Sequence, residues 1–151
     1  MTELYEYPLL VAPLSIRCPA CGLEARFETG HSHALPVRRA GKRHFEAGAP
    51  DWSGEVRCLS CTKMGRHELS WPEDSYYAIE HGGQTLWALD REMMVLIRRF
   101  VAAGADRSRV QGENRRILSR IPALFLDAKS RDEVVRKIDK VLGLDRAVAR
   151  R

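Results

Sequence analysis

The sequence predicts an α+β protein: a small β-module held by a metal site, followed by a group of three or four helices. Three observations carry this. All four cysteines fall in two short turns, Cys18-Pro19-Ala20-Cys21 and Cys58-Leu59-Ser60-Cys61. Apolar residues alternate with polar ones at several places before Asp90 and recur with a period near 3.6 after it. Charge is unevenly spread, with a net −3 over residues 1–97 and +8 over residues 98–151. The expected division is a β-module over 1–89, carrying a long loop at 30–54, and a basic helical region over 90–151 packed on it.

Leu14-Ser15-Ile16-Arg17 reads as a short strand entering the first cysteine turn. Gly22 follows it and permits the left-handed backbone that a tight turn needs. Leu23-Glu24-Ala25-Arg26-Phe27-Glu28 alternates as a half-buried strand does. Residues 30–54 are punctuated by Gly30, Pro36, Gly41, Gly48, Pro50 and Gly54, which predicts a loop. A metal ion would staple its ends together.

Glu55-Val56-Arg57 leads into the second turn, and His67-Glu68-Leu69-Ser70-Trp71 reads as a strand leaving it. Tyr76 to Glu80 and Gln84 to Leu89 form a hairpin about His81-Gly82-Gly83, where glycines supply positive φ.

From Asp90, an N-cap type, Met93, Ile97, Phe100, Val101 and Gly104 share one helical face. Gly104 stops that helix, and residues 105–112 read as a polar connection. A second helix is expected near Glu113, with Ile117, Leu118 and Ile121 inward, and Pro122 opens a short turn. Ser130-Arg131-Asp132-Glu133 has the pattern of a capping box. It precedes a last helix with Val134, Val135, Ile138, Val141 and Leu142 on one side and Gly143 at its end.

A Cys-x-x-Cys turn presents two thiolates to one ion, and two such turns complete the tetrahedral four-sulfur shell that Zn²⁺ prefers. Cys18, Cys21, Cys58 and Cys61 are thus the expected zinc ligands, and Zn²⁺ the expected cofactor. Four thiolates leave no open coordination position, so the ion is expected to fold the module rather than to activate water. The paired turns resemble the knuckles of the zinc-ribbon proteins over roughly residues 14–71. That resemblance implies a nucleic-acid-binding module or a protein adaptor, and no enzyme activity.

The expected phosphate contacts are Arg38, Arg39, Lys42 and Arg43 in the loop and Arg115, Arg116, Arg120, Arg136, Lys137 and Lys140 on helices. Trp52 is placed to stack on a base, whereas Trp71, Trp87, Tyr76 and Tyr77 are expected in the core. Acids interleaved with these cations are equally the pattern of solvated helix faces. The alternative partner is a protein docking on apolar helix faces, with this chain an adaptor or a subunit of a larger complex.

Two enzyme readings fit less well. Cys18-Pro19-Ala20-Cys21 resembles a glutaredoxin-type dithiol, but that chemistry needs a helix beginning at the pair. His44-Phe45-Glu46 with Cys58 and Cys61 resembles the zinc deaminases. There Arg57 replaces the proline of that signature, and Cys18 and Cys21 are left over. His31 and His33 read as solvated, and His67 and His81 need no ligand role.

No apolar run approaches the roughly 20 residues that span a bilayer. The start, Met1-Thr2-Glu3-Leu4-Tyr5-Glu6, is acidic rather than positive, so a cytoplasmic location without membrane attachment is expected.

Overall fold

A computed structural model of the chain describes residues 13–28 and 53–144. It is α+β, with antiparallel strands in the first half and helices in the second. Two compact units divide between Tyr76 and Tyr77.

In the first unit β1 (Leu14–Arg17), β2 (Glu24–Glu28), β3 (Ser53–Cys58) and β4 (Met64–Glu68) form one antiparallel sheet in chain order. Alternation sets the register. Leu14, Phe27 and Val56 lie opposite one another across three strands, as do Ile16, Ala25 and Cys58. All six are buried on one face. A one-residue slip would turn both rows to solvent, which is why this pairing is selected.

Gly54 lies on the same face. A Cβ there would come within 2.4 Å of the Glu28 carbonyl and 2.6 Å of the Phe27 ring, so only glycine lets that ring lie across β3. The chain after β4 returns to the free edge of β1. There the Arg17 amide donates to the Asp74 carbonyl at 2.8 Å and the Tyr76 amide to the Ser15 carbonyl at 3.1 Å.

Two expectations change in this unit. The last strand is Met64–Glu68, not His67–Trp71. It is an edge strand with little buried surface, so it carries no apolar alternation to read. Leu69 and Trp71 are buried instead from the irregular stretch and the turn that follow β4. The expected 30–54 loop lies outside the described residues except at its end, where Ser53 and Gly54 already belong to β3.

The second unit begins with the hairpin β5 (Tyr77–His81) and β6 (Gln84–Ala88), a separate two-stranded sheet. Gly82 and Gly83 turn it at φ 55° and 76°. The hairpin groups with the helices: α5 (Arg131–Leu142) packs on β5, and α1 (Arg91–Ala103) packs on both β6 and α5. The change of period at Asp90 therefore marks where helices begin, not where the compact units divide. Trp87, Met94, Ile97, Val101, Leu118, Phe125, Val134 and Ile138 fill the core here.

Asp90 caps α1 as expected, its carboxylate accepting from the Met93 amide at 2.8 Å. Gly104 ends that helix at φ 55°. Residues 105–112 are not an extended connection. They wind through a 3₁₀ turn, Gly104–Asp106, into α2 (Arg107–Gln111), and a second 3₁₀ turn, Gly112–Asn114, precedes α3 (Arg115–Leu118). α4 (Ala123–Leu126) follows Pro122. Among the described residues five α-helical segments thus replace the expected three or four, because glycines at 104 and 112 and Pro122 cut the path into short turns.

The capping box at Ser130 does not form. Ser130 already has helical backbone, at φ −93° and ψ −12°, and its hydroxyl caps nothing. Glu133 turns instead to Lys137, 2.9 Å away. At the other end Gly143 takes φ 72°. Its amide reaches the Lys140 carbonyl and that of Leu144 reaches Asp139, a Schellman closure. Among the described residues no helix is long and apolar enough to cross a membrane.

The two caps predict opposite outcomes. Asp90→Ala should cost about 1 kcal/mol in denaturant unfolding, the usual loss for an N-cap carboxylate. Ser130→Ala should stay within about 0.5 kcal/mol of the parent, since no bond is lost.

Candidate metal centre

The two cysteine turns are built alike. In the first, the Cys18 amide donates to the Leu23 carbonyl at 2.7 Å; in the second, the Cys58 amide donates to the Lys63 carbonyl at 2.9 Å. Both turns need one left-handed residue just after their second cysteine. Gly22 supplies it at φ 74° and Thr62 at φ 62°. A β-branched residue in that region is strained. Thr62 holds it with its hydroxyl donating to the Cys61 carbonyl at 2.7 Å. Sequence reasoning missed Thr62; its position one past the second Cys-x-x-Cys, matching Gly22, was the available signal.

The β2–β3 register brings the turns together. Ala25 lies opposite Cys58 and Glu28 opposite Glu55, so the ladder itself joins the ends of the long excursion. The four Sγ atoms lie within 4.8 Å of one another. Cys18 and Cys61 are 3.6 Å apart and Cys21 and Cys58 3.7 Å, all four as free thiols. A tetrahedron with metal–sulfur bonds of about 2.3 Å has edges of about 3.8 Å, so the cluster fits a metal ion. Cys18 and Cys58 are buried, whereas Cys21 and Cys61 face outward.

Electrostatics favour an ion there as well. Backbone amides in the turn, that of Cys21 foremost, hold the Cys18 thiol down at about 6 against the opposing effect of burial. Cys58 is lowered in the same way, first by the Cys61 amide. The Leu23 amide acts to lower Cys21 too, but burial and the three neighbouring sulfurs outweigh it and push that thiol up to about 12. Crowded sulfurs cannot all ionise without a cation between them.

The other expected residues are placed as follows. Arg115 and Arg116 are exposed neighbours on α3, and Arg136 and Lys140 are exposed on α5, while Arg120 is half-buried. Lys137 is already engaged: its ammonium donates to the Glu80 carbonyl at 2.9 Å and pairs with Glu133. Arg38, Arg39, Lys42, Arg43 and Trp52 lie outside the described residues, as do His31, His33 and the His44–Glu46 stretch. His67 bonds Asp74 at 2.9 Å, and His81 faces Glu133 and Lys137 at 3.5 Å each. Trp71, Trp87 and Tyr77 are buried, whereas Tyr76 is half-buried. A strand, β2, follows Cys21 where a dithiol oxidoreductase would begin a helix.

Two outcomes are expected. Metal uptake at pH 8 should release protons, because Cys21 still holds its own there. Affinity should therefore fall already as pH drops from 8, and more steeply toward and below 6, where Cys18 also protonates; a weakly buffered titration with a pH indicator reads both. Thr62→Gly should raise stability of the metal-loaded protein by up to about 1 kcal/mol, by relieving left-handed strain.

The chain matches no protein-family model, no curated protein and no solved structure. The cysteine cluster, rather than kinship, is what points to a role.

Proposed function

We propose that the protein is a non-enzymatic zinc-binding module of the ribbon type that contacts nucleic acid through its basic residues. The four-sulfur cluster carries the first half of this reading. Four soft thiolates in tetrahedral spacing select zinc over the hard, oxygen-seeking cations. All four coordination positions are filled by protein, so the ion holds structure and offers no place for substrate. The nucleic-acid half is supported by the +8 balance of residues 98–151 and by exposed Arg115, Arg116, Arg136 and Lys140. Lys137 contributes less, since its charge is answered within the fold.

A protein-adaptor reading has one observation of its own. Leu59 is 87% exposed, Met64 64% and Leu23 50%, all in or beside the cysteine turns. Large apolar side chains held out by a rigid metal site suit a protein partner.

Protein purified under reducing conditions without chelator should carry stoichiometric zinc, and Cys21→Ser should lose it. Oligonucleotide affinity should fall with salt at a log–log slope of about −0.9 for each duplex phosphate neutralised. Reversing Arg115 and Arg116 to Glu, or Arg38, Arg39 and Arg43 to Glu, should weaken it. Absence of binding at low salt would favour the adaptor, for which Leu59→Glu is the test.

A further inference from the structure

A groove of about 470 Å³ runs along the second unit between α1 and α5. Its cationic lining consists of Arg98, Arg131 and Arg136, and its apolar lining of Ala102, Val135 and Leu144. The three guanidinium groups are in different electrostatic situations. Arg98 is answered: it grips the Asp139 carboxylate through Nε and, at 3.1 Å, through Nη2. Asp139 raises Arg98 accordingly.

Arg131 is not answered. Its guanidinium lies flat on the backbone of Gly104, so that a Cβ there would sit 2.8 Å from Cζ and 2.9 Å from Nη1. Its Nε is sealed from solvent and has no hydrogen-bond acceptor. Among the described residues no carboxylate pairs with it. Its charged neighbour is another cation, Arg107, whose own pKa is lowered by burial and then by Arg131. Arg107 satisfies its donors with neutral groups, the Phe100 carbonyl at 3.2 Å and that of Leu126 at 2.7 Å, and it lies over the Phe100 ring. Neither contact offsets the charge of Arg131.

With Arg98 and Asp139 cancelling, the exposed Asp132 is the remaining acid lining the groove with Arg131 and Arg136, and Arg136 also interacts with Glu133, which is held by Lys137. The local surplus is positive. A guanidinium that lines a groove and has no carboxylate paired with it is suited to a planar or tetrahedral oxyanion. We infer that this groove binds a small phosphate-bearing molecule, its phosphoryl oxygens on Arg131 and Arg136 and its apolar part on Ala102, Val135 and Leu144. The site belongs to the second unit, and although it shares Arg136 with the nucleic-acid reading, it rests on Arg131, which that reading does not use.

The probes are inorganic phosphate, phenyl phosphate and phenol, each titrated into the full chain at matched ionic strength in chloride. Heteronuclear NMR follows the Arg131 and Arg136 Nε–H signals. Both phosphates should shift those signals, phenyl phosphate should bind several-fold more tightly than inorganic phosphate, and phenol should do nothing. Arg131→Gln should weaken phenyl phosphate by at least about tenfold, the loss of one charge-assisted fork. Ala102→Glu, at an exposed helix position, leaves every arginine in place. It should abolish binding by setting a carboxylate in the groove while the far-ultraviolet spectrum is unchanged. Equal shifts from chloride alone, or phosphate binding that survives Ala102→Glu, would overturn the assignment.

Discussion

The pairing of β2 with β3 is the contact on which the metal centre depends. Cys21 and Cys58 are separated by 36 residues. Nothing local draws them together. The antiparallel register from Ala25–Cys58 to Glu28–Glu55 does so, and burial of Phe27 and Val56 on one face makes that register the favourable one. Hydrophobic alternation thus performs the long-range step, and the turns need only hold two sulfurs each. A metal ion bound there would add its binding free energy to a geometry the sheet has already approximated. This matters in a unit whose apolar interior is only a few side chains deep.

The charges of the two units are handled in contrasting ways. In the first, amide donors in the cysteine turns favour ionisation of Cys18 and Cys58, while burial and crowding oppose that of Cys21. In the second, two cations are answered by close pairs, Arg98 with Asp139 and Lys137 with Glu133. Arg131 is instead held against backbone beside a second guanidinium. The two close pairs contribute nothing to the net +8 of residues 98–151, which resides in the other cations of that stretch.

The parts of the fold legible in the sequence were those with a strong local signal. The cysteine turns, the strands Leu14–Arg17 and Glu24–Glu28, the Gly82–Gly83 hairpin, the Asp90 cap and the Gly143 stop all declare themselves through spacing or side-chain type. What escaped had a tertiary cause. Met64–Glu68 is a strand because it borders β3, not because its residues alternate. Ser130 fails as a cap because the chain enters α5 already helical, with Ser130 bonded back to the Asp127 carbonyl. Grouping of the hairpin with the helices depends on α5 lying on β5, which no periodicity reports. At the candidate metal centre all four clustered cysteines were readable, whereas the strained Thr62 was hidden by its residue type.

The ladder that carries the metal centre has a further consequence for how this chain can change. Glu28 and Ser53 sit at the same end of two neighbouring strands, so whatever joins them starts and finishes at nearly one place. Closing a chain between two fixed, adjacent points becomes only slightly harder as it lengthens, by roughly 0.6 kcal/mol for each doubling. A change of length between those two points therefore costs little in closure, which makes this a natural insertion point in the sheet that carries the cysteine turns.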